Sequence, residues 1–109
     1  MTKYIVDIDG TICSQKRPKP DYPTAEPYFD RIEKLNKLYD DGHEIHYWTA
    51  RGSGSGKDWV EFTKTQLIGW GVKATSINCG KPIYDIWVDD KAINDNSFFG
   101  WKEINNGSK

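Results

Sequence analysis

Residues 4–11 of the chain have the sequence YIVDIDGT. The first three are apolar and are typical of a buried β-strand. Two acidic residues, Asp7 and Asp9, follow almost at once, and Gly10 then permits a tight turn of the backbone. This stretch therefore predicts a buried strand whose carboxyl end carries two carboxylates.

The same alternation of apolar runs and turn residues continues along the rest of the chain. Short apolar runs predict strands at residues 4–6, 45–48, 75–77 and 86–88. Apolar residues at helical spacing, each time followed by a glycine, predict helices at about residues 27–41 and 58–70. Strands that alternate with helices are typical of an α/β fold with a parallel sheet.

Composition limits the class of protein. The chain has 109 residues, 37% hydrophobic and 28% charged, so we expect a single domain over residues 1–109. A formal net charge of -1 excludes binding that depends on bulk attraction to nucleic acid or anionic membranes. No stretch approaches the roughly 18 consecutive apolar residues of a membrane-spanning helix, and no secretory signal is recognisable. Two cysteines make neither a disulfide framework nor a metal tetrad. These features predict a cytoplasmic protein.

Polar residues next to the predicted strands form the candidate site. In open parallel sheets, ligands bind beyond the carboxyl ends of the strands. The residues at or near those ends are Asp7, Asp9, Thr49, Lys81, Asp89 and Asp90. Two unit charges about 4 Å apart cost about 4 kcal/mol at an effective dielectric constant of about 20. Four carboxylates in one crevice therefore either take up protons or surround a cation, and oxygen ligands alone suit Mg²⁺.

These residue types fit phosphoryl transfer. A carboxylate can attack phosphorus to form an aspartyl-phosphate, and a second carboxyl can protonate the departing alkoxide and then activate water. Backbone amides in the turn at Gly10 can point at a phosphoryl oxygen, while Thr49 and Lys81 can bind the other equatorial oxygens. Arg51 lies close to Thr49, and two interpretations of it stay open: contact with the substrate, or a pair with a surface carboxylate.

The motif DIDGTI at residues 7–12 resembles the first motif of the haloacid dehalogenase superfamily, in its phosphatase form. Later pieces resemble the remaining family motifs in the same order: YWTAR at residues 47–51, Lys81 before a proline, and two aspartates at 89–90. The resemblance covers residues 4 to about 95. Residues 81–82 and 85–92 are also loosely similar to small bacterial capsule-biosynthesis phosphatases.

The resemblance implies a three-layer sandwich around a small parallel sheet, the Rossmann-like core of that superfamily. It implies a Mg²⁺-dependent phosphomonoester hydrolase, with a small phosphorylated metabolite or a sugar phosphate as substrate. In the implied mechanism Asp7 is the nucleophile and Asp9 the general acid and base, and Thr49 and Lys81 bind the phosphoryl group.

The resemblance also supplies binding residues. The candidate phosphate- or substrate-binding residues are Gly10, Thr11, Ala50 and Arg51. The implied ligands of Mg²⁺ are the Asp7 side chain, the Asp9 main-chain carbonyl and Asp89, with Asp90 in an auxiliary role.

Larger members of the superfamily carry a cap domain that closes over the substrate. The two places where a cap is inserted correspond to residues 12–26 and 50–80. Both are too short, because a small folded domain usually needs more than about 40 residues. We therefore expect a capless enzyme whose substrate is held by the proline-rich segment 16–23, by the glycine-rich loop 52–56, or by a neighbouring subunit in a homo-oligomer.

Three other functions match parts of this pattern. A receiver-like phosphoacceptor domain also has aspartates, a threonine and a lysine. Its phosphate-accepting aspartate lies in the middle of the chain, whereas the DIDGT motif of this chain lies near the beginning. A 3′-phosphatase that acts on nucleic acid ends would need basic residues, and the candidates are Lys16, Arg17, Lys19 and Arg51. A binding protein without catalysis is disfavoured by the intact set of candidate catalytic residues.

Overall fold

The computed structural model describes residues 1–15, 21–54, 56 and 58–100. Within these ranges the chain forms three strands, three helices and one turn of 3₁₀ helix at Tyr22–Thr24. The strands are β1 (Lys3–Val6), β2 (Glu44–Trp48) and β3 (Ser76–Asn78). The helices are α1 (Phe29–Asp40), α2 (Val60–Gly69) and α3 (Asp95–Phe98). None of the described helices is long and apolar enough to cross a membrane.

The sheet is parallel, with β2 between β1 and β3. Val6 lies opposite Tyr47, and Tyr47 lies opposite Ile77, so these side chains share one face of the sheet. Parallel pairing brings the carboxyl ends of all three strands to the same edge. The predicted α/β class and three of the four predicted strands are thus confirmed.

Helices cover one face of this sheet. α1 joins β1 to β2 and α2 joins β2 to β3, and right-handed crossovers that advance in one direction place both helices on the same face. α3 lies on that face as well, because its Phe98 ring packs edge-on against Tyr4, with the ring centroids 5.7 Å apart. The described residues therefore form the sheet and one helical layer of the expected sandwich.

The core lies between the sheet and these helices. Leu35 of α1, Leu67 of α2 and Ile45 of β2 have no exposed surface. Leu35 follows Ile32 by one helical turn, which is the spacing that gives α1 a single apolar face. The remaining buried apolar residues are Val6, Ile8, Ile12, Cys13, Ile32 and Tyr47. α1 ends before Gly42, whose φ of 98° is unfavourable for other residues.

The predicted strand at residues 86–88 is wrong for the described structure. This segment has no ladder partner, and the side chains of Ile86 and Val88 are 81% and 92% exposed. An apolar run becomes a strand only when a neighbouring strand accepts its hydrogen bonds. The outer edge of β1 does not pair with it, although the two segments line the same cavity.

The short helix α3 was not expected from the sequence. Its first turn is capped by Asn94, whose side-chain Oδ1 accepts a hydrogen bond from the Asn96 amide at 3.0 Å. Only four residues after this cap are helical. A helix of this length is too short to show apolar periodicity in the sequence. The cap itself is the local signal that sequence analysis missed.

Candidate active site

The carboxyl edge of the sheet brings together residues that are far apart along the chain. Asp7 and Asp9 follow β1, Thr49 follows β2, and Lys81 follows β3. The Thr49 hydroxyl donates to Asp9 Oδ2 at 3.3 Å, and the Lys81 amide donates to the Thr49 carbonyl at 3.0 Å. Lys81 Nζ lies 3.5 Å from Asp7 Oδ1. These four predicted residues therefore form one cluster.

The backbone amides of Gly10 and Thr11 form hydrogen bonds within the turn that follows β1. The Gly10 amide donates to the Cys13 carbonyl at 2.9 Å, and the Thr11 amide donates to the Ile8 carbonyl at 3.0 Å. Gly10 has a φ of 83°, a conformation that side chains other than glycine rarely adopt. Both amides are thus used within the turn, which corrects the expectation that they point at a phosphoryl oxygen. Gly10 has no other donor, and the Thr11 hydroxyl is the remaining donor of these two residues. The Ala50 carbonyl is likewise used in a turn, since it accepts the Ser53 amide at 2.9 Å.

Asp7 is the accessible aspartate of the pair. Its side chain is 35% exposed, and its positive partner is Lys81. Burial raises the pKa of the Asp7 carboxyl above its usual value, while the charge of Lys81 acts in the opposite direction. Asp7 is thus a partly exposed carboxylate with a cation 3.5 Å away.

Asp9 has a different environment, and its side chain is only 9% exposed. Both of its carboxylate oxygens accept hydrogen bonds from Arg51, at 3.0 Å from Nε and 2.9 Å from Nη2. The Cys13 thiol also donates to Asp9 Oδ1 at 3.6 Å. Burial, followed by the Asp9 charge, raises the pKa of the Cys13 thiol to about 12, so this cysteine is a poor nucleophile.

Arg51 is buried, with no exposed side-chain surface. Besides Asp9, its guanidinium group donates to Gln66 Oε1 at 2.8 Å and to Thr63 Oγ1 at 3.3 Å. The ring of Tyr22 lies over its other surface, with the centroid 4.6 Å from Cζ. This geometry corrects the expectation that Arg51 binds substrate, because a side chain enclosed in this way has no surface for a ligand. The alternative expectation was an ion pair, and the partner is a buried carboxylate rather than one at the surface.

A cavity of about 940 Å³ opens beside the cluster. The candidate residues that line it are Asp7, Asp9, Gly10, Thr11 and Asp89. Two aromatic residues, Tyr84 and Trp87, also line it, with ring centroids 5.2 and 5.7 Å from Lys81 Nζ. Sequence analysis missed these two side chains, because it placed Trp87 inside a strand and gave Tyr84 no role.

The metal ligands implied by the resemblance are only partly assembled. Asp89 faces the same cavity as Asp7, whereas Asp90 does not line it. A hydrogen bond from the Lys91 amide lowers the pKa of the Asp89 carboxyl, which favours the ionised form that metals bind. Across the described ranges, no three histidine, cysteine or acidic side chains lie close enough together to hold a metal ion.

The donor chemistry nevertheless fits a hard cation. Asp7 and Asp89 both line this cavity, and carboxylate oxygens are ligands that Mg²⁺ takes in proteins. Arg51 occupies both side-chain oxygens of Asp9, so that side chain is not offered to a cation. The Mg²⁺ site thus stays a prediction.

Two candidate regions lie partly outside the described residues. The basic cluster proposed for nucleic acid contains Lys16, Arg17 and Lys19, which all fall there. The same holds for residues 16–20 of the proline-rich segment and for Ser55 of the glycine-rich loop.

Comparison with known proteins supports the fold. No protein-family model matches the chain, and no curated protein matches it. A crystal structure of a target protein from Vibrio cholerae is similar, with a TM-score of 0.75 and 28% sequence identity. The match covers 91% of this chain and 88% of that one, so the two proteins share an architecture over most of their lengths.

Proposed function

We propose that this chain is a phosphomonoester hydrolase that works through an aspartyl-phosphate on Asp7. The observation that carries the proposal is the pair of Asp7 and Lys81, 3.5 Å apart, in which Asp7 lines a cavity of about 940 Å³. A nucleophile for phosphorus and a cation for the phosphoryl oxygens are the two groups that such a reaction needs first. The proposed substrate is a small phosphorylated metabolite or a sugar phosphate.

In the first half of the proposed reaction, an oxygen of Asp7 forms a bond to phosphorus. The bond between phosphorus and the ester oxygen breaks, and its electron pair leaves with that oxygen. Asp9 donates the proton that converts the departing alkoxide into an alcohol. The products of this half are the alcohol and a phosphoryl group on Asp7.

In the second half, a water molecule attacks the same phosphorus atom. Asp9 takes a proton from the water as the new bond forms. The bond between phosphorus and Asp7 breaks, and its electron pair restores the Asp7 carboxylate. Inorganic phosphate is released, and Asp9 again carries the proton that it donates in the first half of the next turnover.

The remaining residues bind and orient the substrate. Lys81 offsets negative charge on the phosphoryl oxygens, and the Thr49 hydroxyl lies within hydrogen-bonding distance of Asp9. Mg²⁺ held by the Asp7 side chain, the Asp9 main-chain carbonyl and Asp89, with Asp90 nearby, would offset further negative charge. The proposal includes the finer assignment of the fold to the haloacid dehalogenase core, a cytoplasmic location and a homo-oligomer in place of a cap.

The test is a screen of phosphorylated metabolites in buffer with Mg²⁺, with release of inorganic phosphate as the measurement. Asp7→Asn is the blank, and Asp30→Asn, at an exposed position of α1, is the matched control. We expect hydrolysis by the wild type and by Asp30→Asn, none by Asp7→Asn, and loss with EDTA that Mg²⁺ reverses. Turnover by Asp7→Asn at the wild-type rate would remove Asp7 from the nucleophilic role.

The same screen separates the alternatives. A receiver-like protein would accumulate phosphate on Asp7 without turnover. A 3′-phosphatase would prefer oligonucleotides with a 3′-phosphate over small esters. Of the basic residues considered for contact with nucleic acid, Arg51 is buried and has no surface for such a contact.

A further inference from the structure

Arg51 determines the orientation of the Asp9 carboxylate. Its guanidinium group meets both oxygens, with distances of 3.0 Å to Oδ2 and 2.9 Å to Oδ1. A planar guanidinium that forms two bonds with one carboxylate fixes its direction as well as its distance. Asp9 is therefore held in one orientation by a residue 42 positions later in the chain.

Arg51 is itself fixed from two sides. Gln66 and Thr63 of α2 accept hydrogen bonds from Nη1, at 2.8 and 3.3 Å. The amide nitrogen of Gln66 also donates to the Tyr22 carbonyl at 2.7 Å, and the Tyr22 ring lies over the guanidinium group. The 3₁₀ turn and α2 thus hold the guanidinium in place before any substrate arrives.

This contact bears on the step in which water attacks. Two N–H donors, one on each oxygen, fix the plane of the Asp9 carboxyl group, and a group that takes a proton from water needs such a fixed direction. In the proposed function, Asp9 has this role in the second half, when water attacks the phosphoryl group on Asp7. Arg51 has no exposed surface, so it acts through Asp9 and not on the substrate.

We propose that Arg51 is a positioning residue that holds Asp9 as an oriented carboxylate for hydrolysis of the aspartyl-phosphate. This inference rests on the proposed function. In the step concerned, one proton passes from water to Asp9, the water oxygen bonds to phosphorus, and the electron pair of the broken bond returns to Asp7.

The test compares Arg51→Lys with the wild type on 4-nitrophenyl phosphate in buffer with Mg²⁺. Lysine keeps the charge but offers a single point donor in place of the planar fork. We expect phosphate release to slow about 100-fold, a typical contribution of a general base. Release of 4-nitrophenol should show a burst of about one equivalent per enzyme, and acid-quenched protein should carry a phosphoryl group by intact mass.

Arg31→Lys is the matched control. Arg31 also pairs with an aspartate, Asp95, at 2.7 Å, and the Phe99 ring centroid lies 4.6 Å from its Cζ. The exchange therefore removes a second guanidinium that is paired with an aspartate and lies over an aromatic ring, but that does not contact Asp9. We expect no burst and no accumulated phosphoprotein with this variant.

If Arg51→Lys does not fold, Gln66→Leu is the second variant, because it removes an acceptor of Arg51 at a half-buried position. It should show the same burst with a smaller loss of phosphate release. Slower turnover without a burst, or an equal burst with Arg31→Lys, would overturn this inference while wild-type hydrolysis upholds the proposed function. A wild type that hydrolyses no phosphomonoester would overturn both.

Discussion

Asp7 and Asp9 are two positions apart in the chain but differ in exposure and in the cation that each contacts. Asp7 is partly exposed and pairs with the ammonium group of Lys81, while Asp9 is enclosed and pairs with the planar guanidinium group of Arg51. A carboxylate that must form and break a covalent bond needs access, whereas a general base needs a fixed direction. The environments thus match the different roles proposed for them.

Lys81 gives a prediction about activity and its pH dependence. Lys81→Met removes the positive charge beside Asp7, and we expect kcat/KM to fall on the order of 100-fold, as when one stabilising donor is lost. The charge of Lys81 lowers the pKa of Asp7, so its removal raises that pKa further. Protonation of Asp7 then removes the nucleophile at a higher pH, and the acidic limb of the pH–rate profile should move upward. Lys73→Met, which breaks a surface pair with Asp40, is the control and should leave the profile unchanged.

At the level of elements, burial decides which residues of a helix matter for stability. Leu67 and Ile68 are neighbours in α2, yet Leu67 has no exposed surface and Ile68 is 69% exposed. Leu67 belongs to the core that packs α2 against the sheet and so supports the face that carries Gln66 and Thr63.

These two residues form a matched pair for measurement. Leu67→Ala should lower the free energy of unfolding by about 3 kcal/mol, because it leaves a cavity in the core. Ile68→Ala should change it by less than about 0.5 kcal/mol, since its side chain is largely in water already. Urea denaturation followed by circular dichroism measures both, and equal losses would contradict the orientation of α2.

The segment at residues 86–88 shows where element prediction fails. Its composition favours a strand, but strand formation depends on a hydrogen-bonding partner that no local pattern specifies. In the structure the segment stays unpaired, and Trp87 turns toward the cavity beside Lys81. Trp87 thus contributes to the wall of the candidate site instead of to the sheet.

For the whole molecule, burial of the Asp7 carboxylate in the candidate site lowers the stability of the folded state. Burial raises the pKa of Asp7 in the folded state, so the folded protein binds a proton at this group more tightly than the unfolded chain does. The ionised carboxylate therefore destabilises the folded state above its folded pKa. This penalty disappears as the pH falls below the pKa of the unfolded chain.

Asp7→Asn tests this linkage without reference to turnover. The variant has no charge to bury, so without Mg²⁺ its Tm should exceed that of the wild type at neutral pH. The difference should shrink as the solution is made acidic, because the wild-type carboxyl becomes protonated. Thermal unfolding across a pH series measures it, with Asp30→Asn as an exposed control. A lower Tm for Asp7→Asn at neutral pH would show that the ion pair with Lys81 outweighs burial.

Local patterns in the sequence were enough to predict the strands β1, β2 and β3, the helices α1 and α2, and the candidate residues that follow the strands. These features depend on apolar spacing and glycine positions within about a dozen residues, and such local patterns are visible in one dimension. Tertiary structure alone decided that Arg51 bonds Asp9, that residues 86–88 stay outside the sheet and that Tyr84 and Trp87 line the cavity. Each of these depends on partners brought close only by folding, and which partner a side chain reaches follows from the packing of the sheet and α2.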